Sequence, residues 1–407
     1  MKAIVIGGGI TGLCSAWYLR KQGWEVTLLD SGDLRDNCSY GNLGMIVPSH
    51  FVPLAAPGIV TQGIKWMFDS SSPFYIKPSL DARLLSWGWF FWRSATHRNV
   101  TRAAPYLRDL NLYSKALYEQ LATEPGFDFG LEKKGILMYF KTAHTGDEEI
   151  RLAAEARALG LDAEALDLAA VRVLEPGLEM DVLGAIHYRC DAHLSPGRLV
   201  PQLITALRDA GVDIRAHLPV TSIVRSGQSI AFVGTHQGHL KADRYILTGG
   251  ARLPDIAALA GLRIPLMPGK GYSFTVNQGN FNIPAILCEA RVAITPMDGS
   301  VRYGGTMEIA PINDTIRRNR VEAIAASVTR YFPGIQVQPP EDVWYGFRPC
   351  SPDGLPYIGY ALDNLLVAGG HSMMGLSLGP ATGHVIADLA SGLTPEVRID
   401  AFRPDRF

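Results

Sequence analysis

Two groups of residues in this sequence have the types and spacing to do chemistry, and they lie at opposite ends of the chain. At the start, Gly7-x-Gly9-x-x-Gly12 follows the apolar run Ala3-Ile4-Val5-Ile6. In that spacing the first glycine permits a tight turn, the second lets backbone approach a diphosphate, and the third permits close helix–strand packing. The diphosphate charge would rest on free N–H groups at the start of the following helix. Asp30 ends the next apolar run, 18 residues after Gly12, where a carboxylate can accept hydrogen bonds from a ribose. Near the other end, Arg348 in Gly346-Phe347-Arg348-Pro349 offers a guanidinium. Such a group forks onto a carboxylate with two parallel hydrogen bonds and stays charged at any working pH.

Other arrangements fail on their own terms. His236-x-x-His239 falls in a polar, glycine-containing hairpin without further ligands close by, so no metal site is expected. No Gly-x-Ser-x-Gly elbow is present, and the five cysteines are scattered, odd in number and without Cys-x-x-Cys spacing. That usage suits a reducing compartment. Cys350, close to Arg348, reads as a small packed thiol rather than a point of covalent cofactor attachment.

The elements that must position these groups are legible in part. Residues 1–30 read strand, turn, helix, strand. Lys2 and the apolar stretch after it imitate a secretory leader, but the glycines break that pattern and the segment reads as folded structure. Residues 41–80 are rich in Gly, Pro and Ser and read as long ligand-covering loops, and helical patterns dominate from Leu80 to Leu121. Residues 135–141 read as a strand, 147–160 as a helix closed by Gly160, 195–217 as a helix-to-strand unit and 244–251 as a buried strand entering a glycine turn. Alternating strands with turn signals, Lys270–Asn277, Val292–Met297 and Val301–Ala310, point to an antiparallel sheet. Near the end, 364–370 read as a short buried strand and 379–392 as a helix with Pro380 in its first turn and Gly392 as its stop. The fold class expected is therefore α/β plus α+β: a discontinuous Rossmann-like nucleotide domain with an inserted substrate domain built on an antiparallel sheet. The boundaries assigned are 1–52, 187–255 and 343–407 for the first, and 53–186 and 256–342 for the second.

Bulk properties narrow the partners. The chain has 407 residues, 47% hydrophobic and 19% charged, with a formal net charge of −1. That length suits two domains, and the charge gives no basic field to attract nucleic acid. The longest hydrophobic tract outside the first strand, Leu84–Trp92, is too short to span a bilayer. Its Trp and Phe stand beside Arg93, His97 and Arg98, so 84–98 reads either as a helix packed on the substrate domain or as a peripheral membrane contact. Localisation is expected to be cytoplasmic, with the second reading adding the inner face of a membrane.

The fingerprint alone does not separate FAD from NAD. A nicotinamide enzyme would normally continue with more βα units, whereas this chain turns to loops after Asp30. Residues 39–46, Ser-Tyr-Gly-Asn-Leu-Gly-Met-Ile, offer small side chains and amides for an isoalloxazine. The glycine turn before the last helix could oppose negative charge developing on the flavin.

On these residues the sequence resembles the FAD-dependent D-amino-acid dehydrogenases of the D-amino-acid oxidase/glycine oxidase superfamily. The matching stretches are 4–30, 39–58, Lys65-Trp66-Met67-Phe68, 270–276, 346–359 and 369–392. The resemblance implies non-covalent FAD, oxidation of an amino acid's C–N bond to an imine, and electrons passed to a quinone or other respiratory acceptor. It implies cofactor contacts at Gly7, Gly9, Ile10, Thr11, Gly12, Asp30, Ser31, Ser39, Asn42, Gly44, Met45, Val220, Gly249, Gly370, Gly375, Leu376 and Ser377. Arg348 matches the Arg-Pro motif with which related oxidases hold the substrate carboxylate. Gly369-Gly370-His371-Ser372-Met373 and Tyr40-Gly41-Asn42 depart from the usual Thr-Gly-His-Gly-Thr-like and Phe-Ala-Asn runs, which leaves substrate identity open, proline-type D-substrates included.

Further catalytic candidates have two readings each. Tyr272 is a pocket wall with its hydroxyl on the carboxylate, or a buried strand tyrosine. His371 tunes the amine or the flavin, or caps the turn. Ser372 and Met45 are weaker pocket candidates, while Arg291 and Arg302 add positive charge or are solvated strand residues. In the reaction expected, hydride leaves Cα for flavin N5 from a neutral amine, and the imine hydrolyses to a 2-oxo acid. The alternatives are a glycine- or sarcosine-type oxidase that uses oxygen, and a non-catalytic FAD-binding protein.

Overall fold

The computed structural model describes residues 1–35, 37–61, 63, 72, 74–76 and 81–407. The Lys65-Trp66-Met67-Phe68 stretch and much of the loop expected before Leu80 lie outside the described residues.

The chain's first strand, Lys2–Ile6, pairs in parallel with Glu25–Leu29 on one side and Arg244–Leu247 on the other. Leu365–Gly369 and an antiparallel edge, Tyr357–Leu362, extend the sheet one way, and Asp213–Arg215 the other, giving six strands. Side chains alternate across a strand, and both faces here are covered. Ala3, Val5, Val26 and Leu28 enter one core; Ile4, Ile6, Leu29 and Leu247 enter another. That explains why these strands read as unbroken apolar runs.

On the first face the opening helix, Ile10–Lys21, lies against the C-terminal helix, Gly375–Ala390. The approach is close enough that a Cβ on Gly383 would fall 2.5 Å from the backbone of Cys14. Helices His97–Leu121 and Pro196–Asp209 join the same core.

The C-terminal helix corrects one expectation. It begins at Gly375, so Pro380 lies inside it and not in its first turn. A proline there removes the N–H that would bond the carbonyl of Leu376 and crowds that carbonyl. The long helix repairs the gap: Tyr118 Oη donates to Leu376 O at 2.8 Å, and Ser114 Oγ donates to Ser377 O at 2.5 Å. Sequence rules that reserve proline for helix starts had no view of these donors.

The second sheet runs Trp344–Cys350, Met267–Val276, Ser300–Ile309, Val292–Met297, Ala285–Leu287, Ile136–Phe140, Gly184–Tyr188 and Ala163–Asp167, with Phe74–Ile76 paired to Ser300–Ile309. The central strands are antiparallel, as their alternation predicts. Met267–Val276 and Trp344–Cys350 are in continuous register, with Gly269 opposite Arg348 and Gly271 opposite Gly346. Directly opposed residues share a face. One face therefore carries Tyr272 and Phe274, which pack with Val321, Ile324 and Val328 of the helix Arg318–Tyr331. The other carries Gly269, Gly271, Ser273, Gly346 and Arg348, and looks toward the first sheet's loops.

Candidate active site

The nucleotide end is built at the carboxyl ends of the parallel strands. Gly7 has φ +114°, and a Cβ there would come 2.6 Å from the carbonyl of Thr248; on Gly12 it would come 1.9 Å from Gly7 O. Only glycine fits either position. Gly9 precedes the opening helix, whose first turn has no acidic residue, and Gly9 supplies no side-chain cap. A Cβ on Gly9 would meet nothing nearer than Ser39 Oγ at 3.9 Å. Ser39 itself accepts the N–H of Ile10 at 3.0 Å, so its side chain completes the helix start. The amides of Thr11 and Gly12 belong to that same first turn, whose N–H groups lack intrahelical acceptors.

Asp30 sits directly after Glu25–Leu29. Its Oδ2 accepts from Gly8 N at 2.6 Å and its Oδ1 from Gly32 N at 2.7 Å. Each carboxylate oxygen can accept two bonds, so capacity remains beside the exposed Ser31. The carbonyls of Asp30 and Gly32 accept the amides of Leu218 and His217, which brings the segment containing Val220 alongside. Gly249 caps the short turn after Arg244–Leu247.

The loop 39–46 is tied to the glycine face of the second sheet. Arg302 Nη1 donates to the carbonyls of Tyr40 (3.0 Å) and Asn42 (2.7 Å), and Ser273 Oγ donates to that of Gly41 (2.8 Å). Arg302 is thus a loop clamp, neither a free charge nor a solvated strand residue. Asn42 Oδ1 accepts from Gly44 N, and Met45 pairs with His193. Val47 N donates to Ser377 Oγ, which links the loop to the first turn of the C-terminal helix. That turn, Gly375, Leu376 and Ser377, carries no acidic residue and no side-chain cap, and Gly370 approaches it at φ +78°.

Arg348 lies on the glycine face, in a strand rather than a surface turn. A Cβ on Gly271 would fall 1.8 Å from its Nη1, so the missing side chain is the space the guanidinium occupies. Nη1 donates to Thr306 O at 2.9 Å, from a residue held at φ +64°. No carboxylate of the described residues forms an ion pair with Arg348, and burial lowers its pKa. A half-covered cation in that state favours an incoming anion.

Tyr272 is not brought to it, whereas His371 bridges Cys350, two residues along the Arg348 strand. Tyr272 is on the opposite face, where its hydroxyl donates to Glu308 Oε1 at 3.0 Å and accepts from Arg317 N at 3.3 Å. His371 is buried, its Nε2 lies 2.9 Å from Thr382 Oγ1, and burial lowers its pKa to about 4, so the ring is neutral. Ser372 follows at φ +52° with its buried hydroxyl beside the Cys350 thiol. Arg291 is exposed in a turn, at φ +53°. Cys350 is fully buried, with Sγ 3.7 Å from Met307 Sδ. His239 stacks on Phe232, and no group of His, Cys, Asp or Glu among the described residues could hold a metal ion.

Sequence reasoning missed Gly271, Thr306, Ser273 and Trp344. An isolated glycine within a strand signals close backbone approach, so Gly271 was findable. Trp344, whose ring fills the places of Cβ atoms on Gly41 and Gly346, gave no local sign.

Taken together, a parallel sheet with a glycine-led helix whose Thr11 and Gly12 amides face its open end, and a second sheet presenting an arginine without an ion-pair partner among the described residues, define a dinucleotide-dependent enzyme architecture. The chain belongs to the FAD dependent oxidoreductase family, whose model matches residues 2–389. FAD is accordingly its cofactor, and the open glycine turn and the amides of Thr11 and Gly12 fit that group. The chain is 30% identical to a D-amino acid dehydrogenase of Azorhizobium caulinodans over 419 residues, covering all of both chains. It is equally similar, over 422 residues, to one of Methylobacterium radiotolerans, again with full coverage of both. Among solved structures, glycine oxidase from Geobacillus kaustophilus matches with a TM-score of 0.79 at 22% identity, covering 100% of this chain and 98% of that one. The L-proline dehydrogenase from P. horikoshii matches with a TM-score of 0.75 at 20% identity, covering 100% and 97%. Those two likenesses establish the mixed α/β fold. No helix of the described residues is long and apolar enough to cross a membrane.

Proposed function

We propose that this flavoenzyme oxidises D-amino acids to imines, which hydrolyse to 2-oxo acids, and passes the electrons to a quinone or other respiratory acceptor. The observation that carries the reading is the guanidinium of Arg348, seated on Gly271 without a carboxylate partner among the described residues. The names of the full-length relatives support the amino-acid substrate and its D configuration.

Bound FAD supplies a two-electron acceptor for the hydride of Cα. The chain's own residues do the rest. The first turn of the opening helix holds the diphosphate, Asp30 takes the ribose hydroxyls, and loop 39–46, fixed by Arg302 and Ser273, walls the ring system. Arg348 forks onto the substrate carboxylate, and the Thr306 carbonyl fixes the fork's orientation, so Cα is presented in one pose. The uncapped start of the C-terminal helix stabilises negative charge. No base at Cα is needed when the amine is neutral. Cys350, enclosed and in contact with Met307, supports a non-covalent cofactor. We also carry forward the division into 1–52, 187–255 and 343–407 against 53–186 and 256–342, with Trp344–Cys350 as the strand by which the first unit reaches into the second sheet. The protein is cytoplasmic in this reading, with peripheral contact to the inner membrane face through 84–98.

Anaerobic mixing with D-, L- and cyclic amino acids tests it, followed by loss of the flavin absorbance band. D-substrates should bleach the flavin, and Arg348→Ala should raise the required concentration about a hundredfold, the worth of two charge-assisted hydrogen bonds. Failure of every amino acid to bleach the wild type would reject the reading. Stoichiometric peroxide in air would replace the respiratory acceptor with oxygen.

A further inference from the structure

The helix Ala82–Ser94 has two apolar stripes with different fates. Leu84, Trp87 and Phe91 face inward: they pack with Met267, Met307 and Ile309, Trp87 stacks on Phe91, and Trp87 Nε1 donates to Cys350 O at 2.9 Å. Leu85, Trp89 and Trp92, spaced to share a second stripe, are 58%, 56% and 58% exposed. Gly88 lies among them with open space where its Cβ would be. Large aromatics are rarely exposed side by side without a partner.

We propose that this outer stripe is a docking surface for a lipid bilayer bearing anionic headgroups. The inference builds on the membrane contact in the reading above and does not depend on which amino acid is oxidised. The geometry suits an interfacial helix: 13 residues, too short to span, with two tryptophans 5.3 Å apart that can sit at headgroup depth. The charges at the stripe's carboxyl end are cationic, Arg93 and Arg98, both exposed. At the other end Arg83 is paired with Asp255, and Asp81 caps the helix. A second copy is a poorer occupant. A two-fold contact would set the same patch against itself, and three large exposed side chains fall well short of the roughly 20–30 residues a side of a stable interface. The inner stripe anchors the helix to the carbonyl of Cys350, two residues from Arg348, so docking on the outer stripe leaves that anchor in place.

The test is sedimentation of the purified holoenzyme with vesicles of phosphatidylcholine, with and without phosphatidylglycerol. Wild type should pellet with the mixed vesicles and release at high salt. Trp89→Ser/Trp92→Ser should weaken binding about a hundredfold, because each buried aromatic contributes about a factor of ten or more, while flavin content and dye-linked activity are retained. Equal pelleting of the double variant would overturn the proposal, as would a vesicle-indifferent wild type or a dimer that the double variant dissociates. None of these outcomes touches the amino-acid reading, which stands or falls on flavin bleaching.

Discussion

Arg348 lies across Gly271: Nη1 is 1.8 Å from the point where a Cβ on that glycine would be. The two residues are on neighbouring antiparallel strands, and the register that opposes Gly269 to Arg348 brings them to one face. The position of the guanidinium is therefore set by a missing methyl group as much as by its one hydrogen bond to Thr306 O.

Gly271→Ala should displace the guanidinium without touching the cofactor end. KM for a carboxylate substrate should rise roughly tenfold to a hundredfold, the worth of one charge-assisted hydrogen bond. Flavin content should be unchanged. Steady-state kinetics beside the absorbance ratio of flavin to protein checks this, and an unaltered KM would show that Arg348 does not hold the substrate from this position.

Pro380 and Tyr118 form a second coupled pair. Tyr118→Phe strands the buried carbonyl of Leu376, which should lower stability by about 1–3 kcal/mol. In a Pro380→Ala background the new N–H can take that carbonyl, so Tyr118→Phe should then lose at least about 1 kcal/mol less. Urea denaturation of the four proteins in the cycle gives the answer. Strict additivity would mean that the proline is tolerated for another reason.

How much of this could be read in advance depends on sequence distance. The glycine turn, the opening helix and Asp30 lie within 30 consecutive residues, and each local rule agreed with the others. The antiparallel strands showed in their alternation. Tyr272 misled because alternation tells that two residues lie on opposite faces, not which face meets the cofactor; the helix Arg318–Tyr331 decides that. Arg302 and Pro380 were opaque for a related reason. Their partners, Tyr40 and Tyr118, are 262 residues away in each case, and no periodicity carries such a pairing.

At the far end of the chain, Arg406 closes a bidentate pair on Asp353, with Nε to Oδ2 at 2.8 Å and Nη2 to Oδ1 at 2.9 Å. The side chains are 12% and 3% exposed. The Asp353 carbonyl also accepts from Asn99 Nδ2 at 3.1 Å, so the loop following Cys350 is held from two directions. Arg406→Ala leaves a buried carboxylate unpaired and should lower stability by about 3–5 kcal/mol. Arg406→Ala/Asp353→Ala should recover part of that loss. Denaturation midpoints test both, and a single variant within about 0.5 kcal/mol of wild type would mean the pair contributes nothing net.

Acid stability should follow opposing groups in the core. Burial lowers His50, His193 and His371 to about 4 and raises Asp191 to about 7. Below about pH 6.5 the unfolded histidines bind protons that the native ones refuse, so stability falls as pH drops from there toward 4. Asp191 acts in reverse: its native carboxyl keeps a proton that the unfolded one has lost, so its burial is unfavourable above pH 7 and the penalty fades toward 4. His187, also lowered by burial, adds to the loss, while Glu149 and Glu175, raised by burial, join Asp191 against it; the three large histidine shifts leave a net loss on acidification. His371→Asn can keep a contact with Thr382 Oγ1 but cannot titrate, so it should lessen the acid loss by up to about 3 kcal/mol, the integral of a shift from 6.5 to 4. Asp191→Asn should be more stable than wild type at pH 8 and should fall more steeply below it, although it gives up one of the two acceptors used by Ser49. Urea midpoints at half-unit steps from pH 8 to pH 4 separate the two slopes. Parallel curves for wild type and His371→Asn would mean that the ring is protonated in the native state, and its place in the neutral core would have to be abandoned.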